Sequence, residues 1–344
     1  MQDAVSKRCQ TRARRQRTVS SEAPQSPSPM REPNFFIVGA PKAGTTSLYH
    51  YLDQHPDIYM SPIKEPCHFS LEMRLENFEA GSRAHAVRMG EDIRKYLDGP
   101  MEEKRSGGIV SAWDDYMRLF SAATTQKAIG EASVNYLWSK TAAEGIASRI
   151  PQARIIMVLR SPADRAFSQY LHNLSDGHIS QSFKDYVRAS LRHSGEGLGI
   201  HEPFLEMGFY ADQVQRFFDR FPREQIGIWF YEETQLRPLE FLREVLEFLG
   251  VESSFVPDTS RRYNEPRIAK AVKSIQMIRR LGVINSLQRI TPTPLKTLVH
   301  SAIYKPSGSV TMTPDDRALM LDFYRNDIRR LEAILNRDLS GWLA

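Results

Sequence analysis

The sequence predicts an α/β fold: a single domain built on a mostly parallel sheet of phosphate-loop (P-loop) type, flanked by helices. Three observations lead to that expectation. Continuous apolar runs that read as buried strands alternate with stretches of helical period, as a parallel sheet requires. The first run breaks into a Gly/Pro loop that opens directly into a helix, in Phe35-Phe36-Ile37-Val38-Gly39-Ala40-Pro41-Lys42-Ala43-Gly44-Thr45-Thr46-Ser47-Leu48. A chain of 344 residues with 41% hydrophobic content is also long enough to enclose one sizeable core.

The elements follow in order. A strand over residues 34–39 feeds the loop and a helix over 44–54. His55-Pro56 ends that helix, because the residue before a proline is pushed away from helical geometry. A helix over 140–150 stops at Pro151, and Arg154-Ile155-Ile156-Met157-Val158-Leu159 reads as a second buried strand. Ser161-Pro162-Ala163-Asp164 opens the next helix, with an N-cap serine and proline in the first turn. Asp164 and Arg165 read as local charges of that helix. Tyr210, Val214, Phe217, Phe218 and Phe221 fall at helical spacing and are expected in the core.

A third strand is predicted over 225–231, then a helix over 238–249 closed by Gly250. A basic amphipathic helix is expected over 267–281. The last helix begins at Thr313-Pro314 with Asp315 and Asp316 in its first turn, and Leu321, Tyr324, Ile328, Leu331 and Leu335 form its apolar stripe.

Three constellations carry chemistry. Gly39 and Gly44 bracket four residues, the spacing of a Walker phosphate loop, whose amides and helix dipole would face an anion. Where that motif requires lysine this chain has Thr45, and its lysine, Lys42, lies three residues earlier. That displacement argues against an ordinary ATPase and for another phosphate-bearing donor. In Leu159-Arg160-Ser161-Pro162-Ala163-Asp164-Arg165-Ala166-Phe167-Ser168, a strand ends in arginine and a serine follows about two helical turns on. Arg160 and Ser168 could meet one anion at the carboxyl edge of the sheet. The third run is Ser61-Pro62-Ile63-Lys64-Glu65-Pro66-Cys67-His68-Phe69.

In these runs, above all Pro41-Lys42-Ala43-Gly44-Thr45-Thr46-Ser47, the chain resembles sulfotransferases that use 3′-phosphoadenosine 5′-phosphosulfate (PAPS). Within them it is similar to bacterial carbohydrate-type enzymes and to the sulfotransferase domains of heparan-sulfate-modifying enzymes. The resemblance runs from about Asn34 to the C-terminus. It implies that amides of Ala43, Gly44, Thr45 and Thr46 bind the donor's 5′-phosphate, with hydroxyls of Thr45, Thr46 or Ser47 assisting. Lys42 would neutralise the bridging oxygen as the sulfuryl group leaves, and Arg160 with Ser168 would hold the 3′-phosphate.

Glu65 matches the family's catalytic base. Cys67 stands where such relatives carry histidine and His68 falls one place later, so the side chain that supports Glu65 stays open. Cys67 is expected to be a small buried residue and not a nucleophile. Lys305, Arg261 and Arg262 compete for a basic position over the donor. No metal is expected: the family is not known for needing one, and no apolar strand read here ends in a metal-binding aspartate.

Charge is concentrated at one end. Of 46 basic and 41 acidic residues, seven basic (Lys7, Arg8, Arg12, Arg14, Arg15, Arg17, Arg31) and two acidic (Asp3, Glu22) lie in residues 1–31, leaving 39 of each sign beyond. Residues 1–31 therefore read as a disordered basic tail and 32–344 as the catalytic domain. With a neutral body, no nucleic-acid partner is expected; the expected partner is a carbohydrate, glycolipid or other small-molecule alcohol as acceptor. No apolar run reaches the roughly 18 residues of a membrane span. Two cysteines, Cys9 and Cys67, make no disulfide framework, and a cytoplasmic location fits. An ATP-dependent small-molecule kinase and a non-catalytic nucleotide-binding protein are the rival readings.

Overall fold

The structure is a computed structural model that describes residues 31–193, 197–199, 201, 203–260, 267–269, 304–306 and 310–344. Its centre is a five-stranded sheet formed by β1 (Phe35–Gly39), β2 (Ile58–Met60), β5 (Ala128–Ala132), β6 (Arg154–Leu159) and β7 (Ile226–Phe230), in the order β2-β5-β1-β6-β7. Every pairing in it is parallel. A second, two-stranded parallel sheet joins β3 (Ile63–Lys64) to β4 (Arg105–Ser106).

β1 occupies the middle, and all five of its residues are buried. That is why its sequence is continuously apolar: a parallel strand with both faces covered has no polar side to show. β6 is buried from Ile155 to Leu159 for the same reason. Because β5 and β6 flank β1 in parallel, the carboxyl ends of all three strands open on one edge of the sheet.

Helices cover this sheet. After β1 comes α1 (Thr45–Leu52). Next are α2 (Ala80–Leu97), α3 (Trp113–Arg118), α4 (Asn135–Trp138) and α5 (Ala142–Arg149). α6 (Pro162–Ser175), α7 (Phe183–Arg192), α8 (Tyr210–Phe218), α9 (Tyr231–Leu236) and α10 (Pro238–Leu249) follow. Gly250 closes α10 in the left-handed conformation that glycine tolerates. The last helix is α11 (Pro314–Leu335), where the Thr313 hydroxyl accepts the Asp316 amide as an N-cap. Buried Asp327 of α11 accepts the Ala211 amide in the first turn of α8, a carboxylate at the positive end of a helix. The expected stripe of α11 is buried at Leu321, Tyr324, Ile328 and Leu331, while Leu335 is partly exposed.

Several expectations need correction. β2 and β5 were not read from the sequence, although β5 is the immediate neighbour of β1. Asp164 and Arg165 are not local helix charges. Asp164 pairs with Arg317 of α11 at 2.8 Å, and Arg165 is fully buried and donates to the Phe204 carbonyl. Ser161 takes the N-cap position of α6, but its side chain makes no capping bond. Instead its amide donates to Glu232 at 2.9 Å. The helix expected over 267–281 begins as a strand: β8 (Arg267–Ala269) pairs antiparallel with β9 (Tyr304–Pro306) and runs beside α6. Residues 270–281 lie outside the described residues.

The disordered basic tail expected over 1–31 also lies outside the described residues, except at Arg31. There the Arg31 guanidinium donates to the carbonyls of Thr124 and Gln126, at 2.9 and 2.6 Å.

Candidate active site

The loop after β1 turns at two left-handed residues, Lys42 (φ 65°) and Gly44 (φ 83°). Glycine meets that requirement at no steric cost; lysine does not, and non-glycine residues so held cluster at functional sites. The bend aims the first turn of α1 at the sheet edge, where the amides of Thr45, Thr46 and Ser47 have no acceptor within their own helix. Thr46 and Ser47 are half-buried, while the Thr45 side chain is turned into the core. The Ala43 amide points back to the Ala40 carbonyl at 3.3 Å, within the turn itself.

Lys42 sits among other cations. Burial pushes its ammonium down to about 8, and Arg165, Lys64 and Arg160 press in the same direction against the opposing pull of Asp176. Arg160 follows the last residue of β6, and its Nη1 donates to the Lys42 carbonyl at 2.9 Å. The guanidinium lies over the ring of Tyr231, 4.5 Å from its centroid. The same ring limits the loop: a Cβ on Gly44 would meet it at 3.3 Å. Arginine, ring and phosphate loop therefore form one packed unit. Ser168 is half-buried in the second turn of α6, and no described hydrogen bond joins it to Arg160.

Glu65 arrives from the other side. Its amide donates to the Ala132 carbonyl at the end of β5 (2.8 Å), which brings a third strand exit to the same edge. One carboxylate oxygen accepts the Val134 amide at 2.9 Å, and the other pairs with the buried ammonium of Lys64. Like Lys42, Glu65 is left-handed (φ 68°), as is Cys67 (φ 52°). The Cys67 thiol is buried and pushed well up by that burial, as a structural cysteine should be.

The His68 ring faces the Val110 carbonyl through Nδ1 (2.9 Å) and stacks on Tyr116 at 4.4 Å. Lys64 and the Val134 amide thus stand in the supporting place that the sequence left open. Arg261 and Arg262 lie outside the described residues; Lys305 is paired with Ile268 in the β8–β9 ribbon.

The edge therefore offers an amide-lined turn, two cations contributed by two strand exits, and a carboxylate whose backbone is bonded to a third. Lys64, Tyr231 and Glu232 were not singled out by sequence reasoning. Tyr231 and Glu232 follow β7 directly; the expected strand ran one residue too far, over Tyr231, and the rule that served Arg160, to look at the residue after a strand, would have pointed to Glu232.

Comparisons with known proteins identify a family. The model of the Sulfotransferase family matches residues 33–255. Human "Bifunctional heparan sulfate N-deacetylase/N-sulfotransferase 3" is 30% identical over 224 residues, 64% of this chain and 22% of that protein. Its mouse counterpart is 27% identical over 319 residues, 91% of this chain and 31% of that protein. The chain thus spans between about a fifth and a third of the length of these curated relatives. A crystal structure of a sulfotransferase from Alicyclobacillus acidocaldarius aligns with a TM-score of 0.67 at 32% identity, covering 91% of this chain and all of that one.

Proposed function

The chain belongs to the sulfotransferase family, and we propose that it moves a sulfuryl group from PAPS to an acceptor hydroxyl at the shared edge of β5, β1 and β6. Sulfuryl transfer is the chemistry of the family. Such a transfer asks the protein mainly to position two reactants and to stabilise charge that spreads over the moving group. The acceptor oxygen attacks sulfur, the bond from sulfur to the phosphate oxygen breaks, and 3′,5′-diphosphoadenosine leaves.

In this reading the first-turn amides of α1 and the hydroxyls of Thr46 and Ser47 hold the 5′-phosphate. Lys42 answers the charge that grows on the leaving oxygen. Arg160 and Ser168 take the 3′-phosphate, and Glu65 removes the acceptor proton. The observation that carries the reading is the 2.9 Å contact from Arg160 to the Lys42 carbonyl, which ties both anion-binding strand exits into one unit. Among the described residues no group of three His, Cys, Asp or Glu side chains is arranged to hold a metal ion, and no helix is long and apolar enough to cross a membrane.

Two measurements test the proposal. Diphosphoadenosine should raise the melting temperature without added metal, and ATP with Mg²⁺ should not; the reverse result would favour a kinase. Labelled-sulfate transfer should then be followed across sugar, glycolipid and simple alcohol acceptors. A glucosamine amine belongs in the panel, given what the matched human and mouse proteins are named for. Glu65→Gln should abolish transfer and leave diphosphoadenosine binding intact, and normal transfer by that variant removes Glu65 as the base.

A further inference from the structure

Beneath the loop that carries Glu65 lies a carboxyl that takes no part in the reaction as described. Glu131, the fourth residue of β5, is fully buried. Three hydroxyls converge on it. Tyr136 and Tyr116 donate to one oxygen, at 2.6 and 3.2 Å, and Ser133 donates to the other at 2.7 Å. Two of them have a second partner in the neighbouring loop: Ser133 Oγ accepts the Cys67 amide at 3.1 Å, and Tyr136 Oη accepts the Phe69 amide at 3.4 Å. The ring of Tyr116 is the one stacked on His68, at an interplanar angle of 18°. Cys67, His68 and Phe69 are thus each held by a side chain that is itself held by Glu131.

We propose that Glu131 is a positioning residue: through Ser133 and Tyr136 it fixes the backbone that follows Glu65, and so aims the Glu65 carboxylate across the sheet edge. The proposal rests on Glu65 acting as the base.

The chemistry of the groups supports it. A hydroxyl has a single proton, and a carboxylate can only accept. Each hydroxyl therefore gives its proton to the ionised Glu131, which leaves the lone pairs of Ser133 and Tyr136 for the Cys67 and Phe69 amides. The loop needs such fixing because Glu65 and Cys67 are both held in the left-handed region, which non-glycine residues abandon when nothing restrains them. Burying a carboxyl is costly, and burial pushes Glu131 up to about 7 while the three donors oppose that shift. A glutamine there could still accept from the tyrosines, but its amide nitrogen would present protons to Ser133, which would have to turn its own away.

Amide hydrogen exchange at Cys67 and Phe69 reads the struts directly. In Glu131→Gln and in Ser133→Ala the Cys67 amide should exchange roughly five- to a hundred-fold faster, the range for losing one buried hydrogen bond. Amides of β1 and the affinity for diphosphoadenosine, by calorimetry, should stay as in the wild type. Ser133→Thr, which keeps the hydroxyl, should restore protection. Sulfate transfer should fall through kcat in the same order, with KM for PAPS unchanged.

Unchanged exchange at Cys67 and Phe69 in folded Glu131→Gln overturns the proposal, as does an equal loss of donor affinity. Should that variant fail to fold, the Ser133→Ala and Ser133→Thr pair carries the same decision. If the exchange results hold while Glu65→Gln still transfers sulfate, the anchoring stands and the base assignment falls.

Discussion

Lys42 carries its charge in surroundings that disfavour it, hemmed in by burial and three other cations. The free enzyme therefore loses this ammonium as pH rises through about 8, well below the ordinary lysine value of 10.5. The protonated form is the one that can meet an anionic donor. We expect kcat/KM for PAPS to fall above about pH 8 and this limb to vanish in Lys42→Ala, since that ratio reports ionisations of the free enzyme. At neutral pH, Lys42→Ala and Arg160→Ala each remove a charge-assisted contact worth roughly 1.5–3 kcal/mol. The loss of about ten- to a hundred-fold should appear in turnover for Lys42 and in donor affinity for Arg160, by steady-state kinetics and calorimetry. These residues and Glu65 could be read from sequence because each stands in a short run with a distinctive local pattern. Lys64 could not be given a role, because a lysine beside a glutamate in sequence says nothing about whether the two side chains meet.

Among the elements that sequence reasoning missed, β5 stands beside the central strand, and its composition explains why. Ala128-Ile129-Gly130-Glu131-Ala132 holds one β-branched residue, a glycine and a charge, against every strand preference. Packing overrides propensity here. Gly130 is required because Phe35 of β1 lies across it, and a Cβ would come within 2.5 Å of that ring. Gly130→Ala should therefore cost about 1–3 kcal/mol through overpacking, as a lower urea midpoint with little change in slope. A wild-type midpoint would mean that the β1–β5 contact is looser than described. The β8 segment was misread for a different reason: Arg267-Ile268-Ala269 is too short for period 2 and period 3.6 to be told apart. The longer elements were legible to the residue: β6 by its continuous apolar run after Arg154, and α10 by its helical period between Pro238 and Gly250.

For the molecule as a whole, the net charge of +5 belongs to residues 1–31 and the remainder is neutral. Deleting residues 1–30, which keeps the Arg31 contacts, should leave diphosphoadenosine affinity and sulfate transfer at wild-type levels. A large loss of either would mean that the basic segment joins the site. The α/β class and the meeting of two strand exits were legible because both rest on local signals, an apolar run and the residue that ends it. The order of the strands was not, because pairing is decided by packing between distant segments. That order sets the sequence of events during synthesis. Phe35 leaves the ribosome first, and its partners Gly130 and Arg154 follow 95 and 119 residues later (130 − 35 and 154 − 35). A nascent chain halted before β6 holds the turn after β1 with one wall missing, so on the proposed reading donor recognition waits for β6 to emerge.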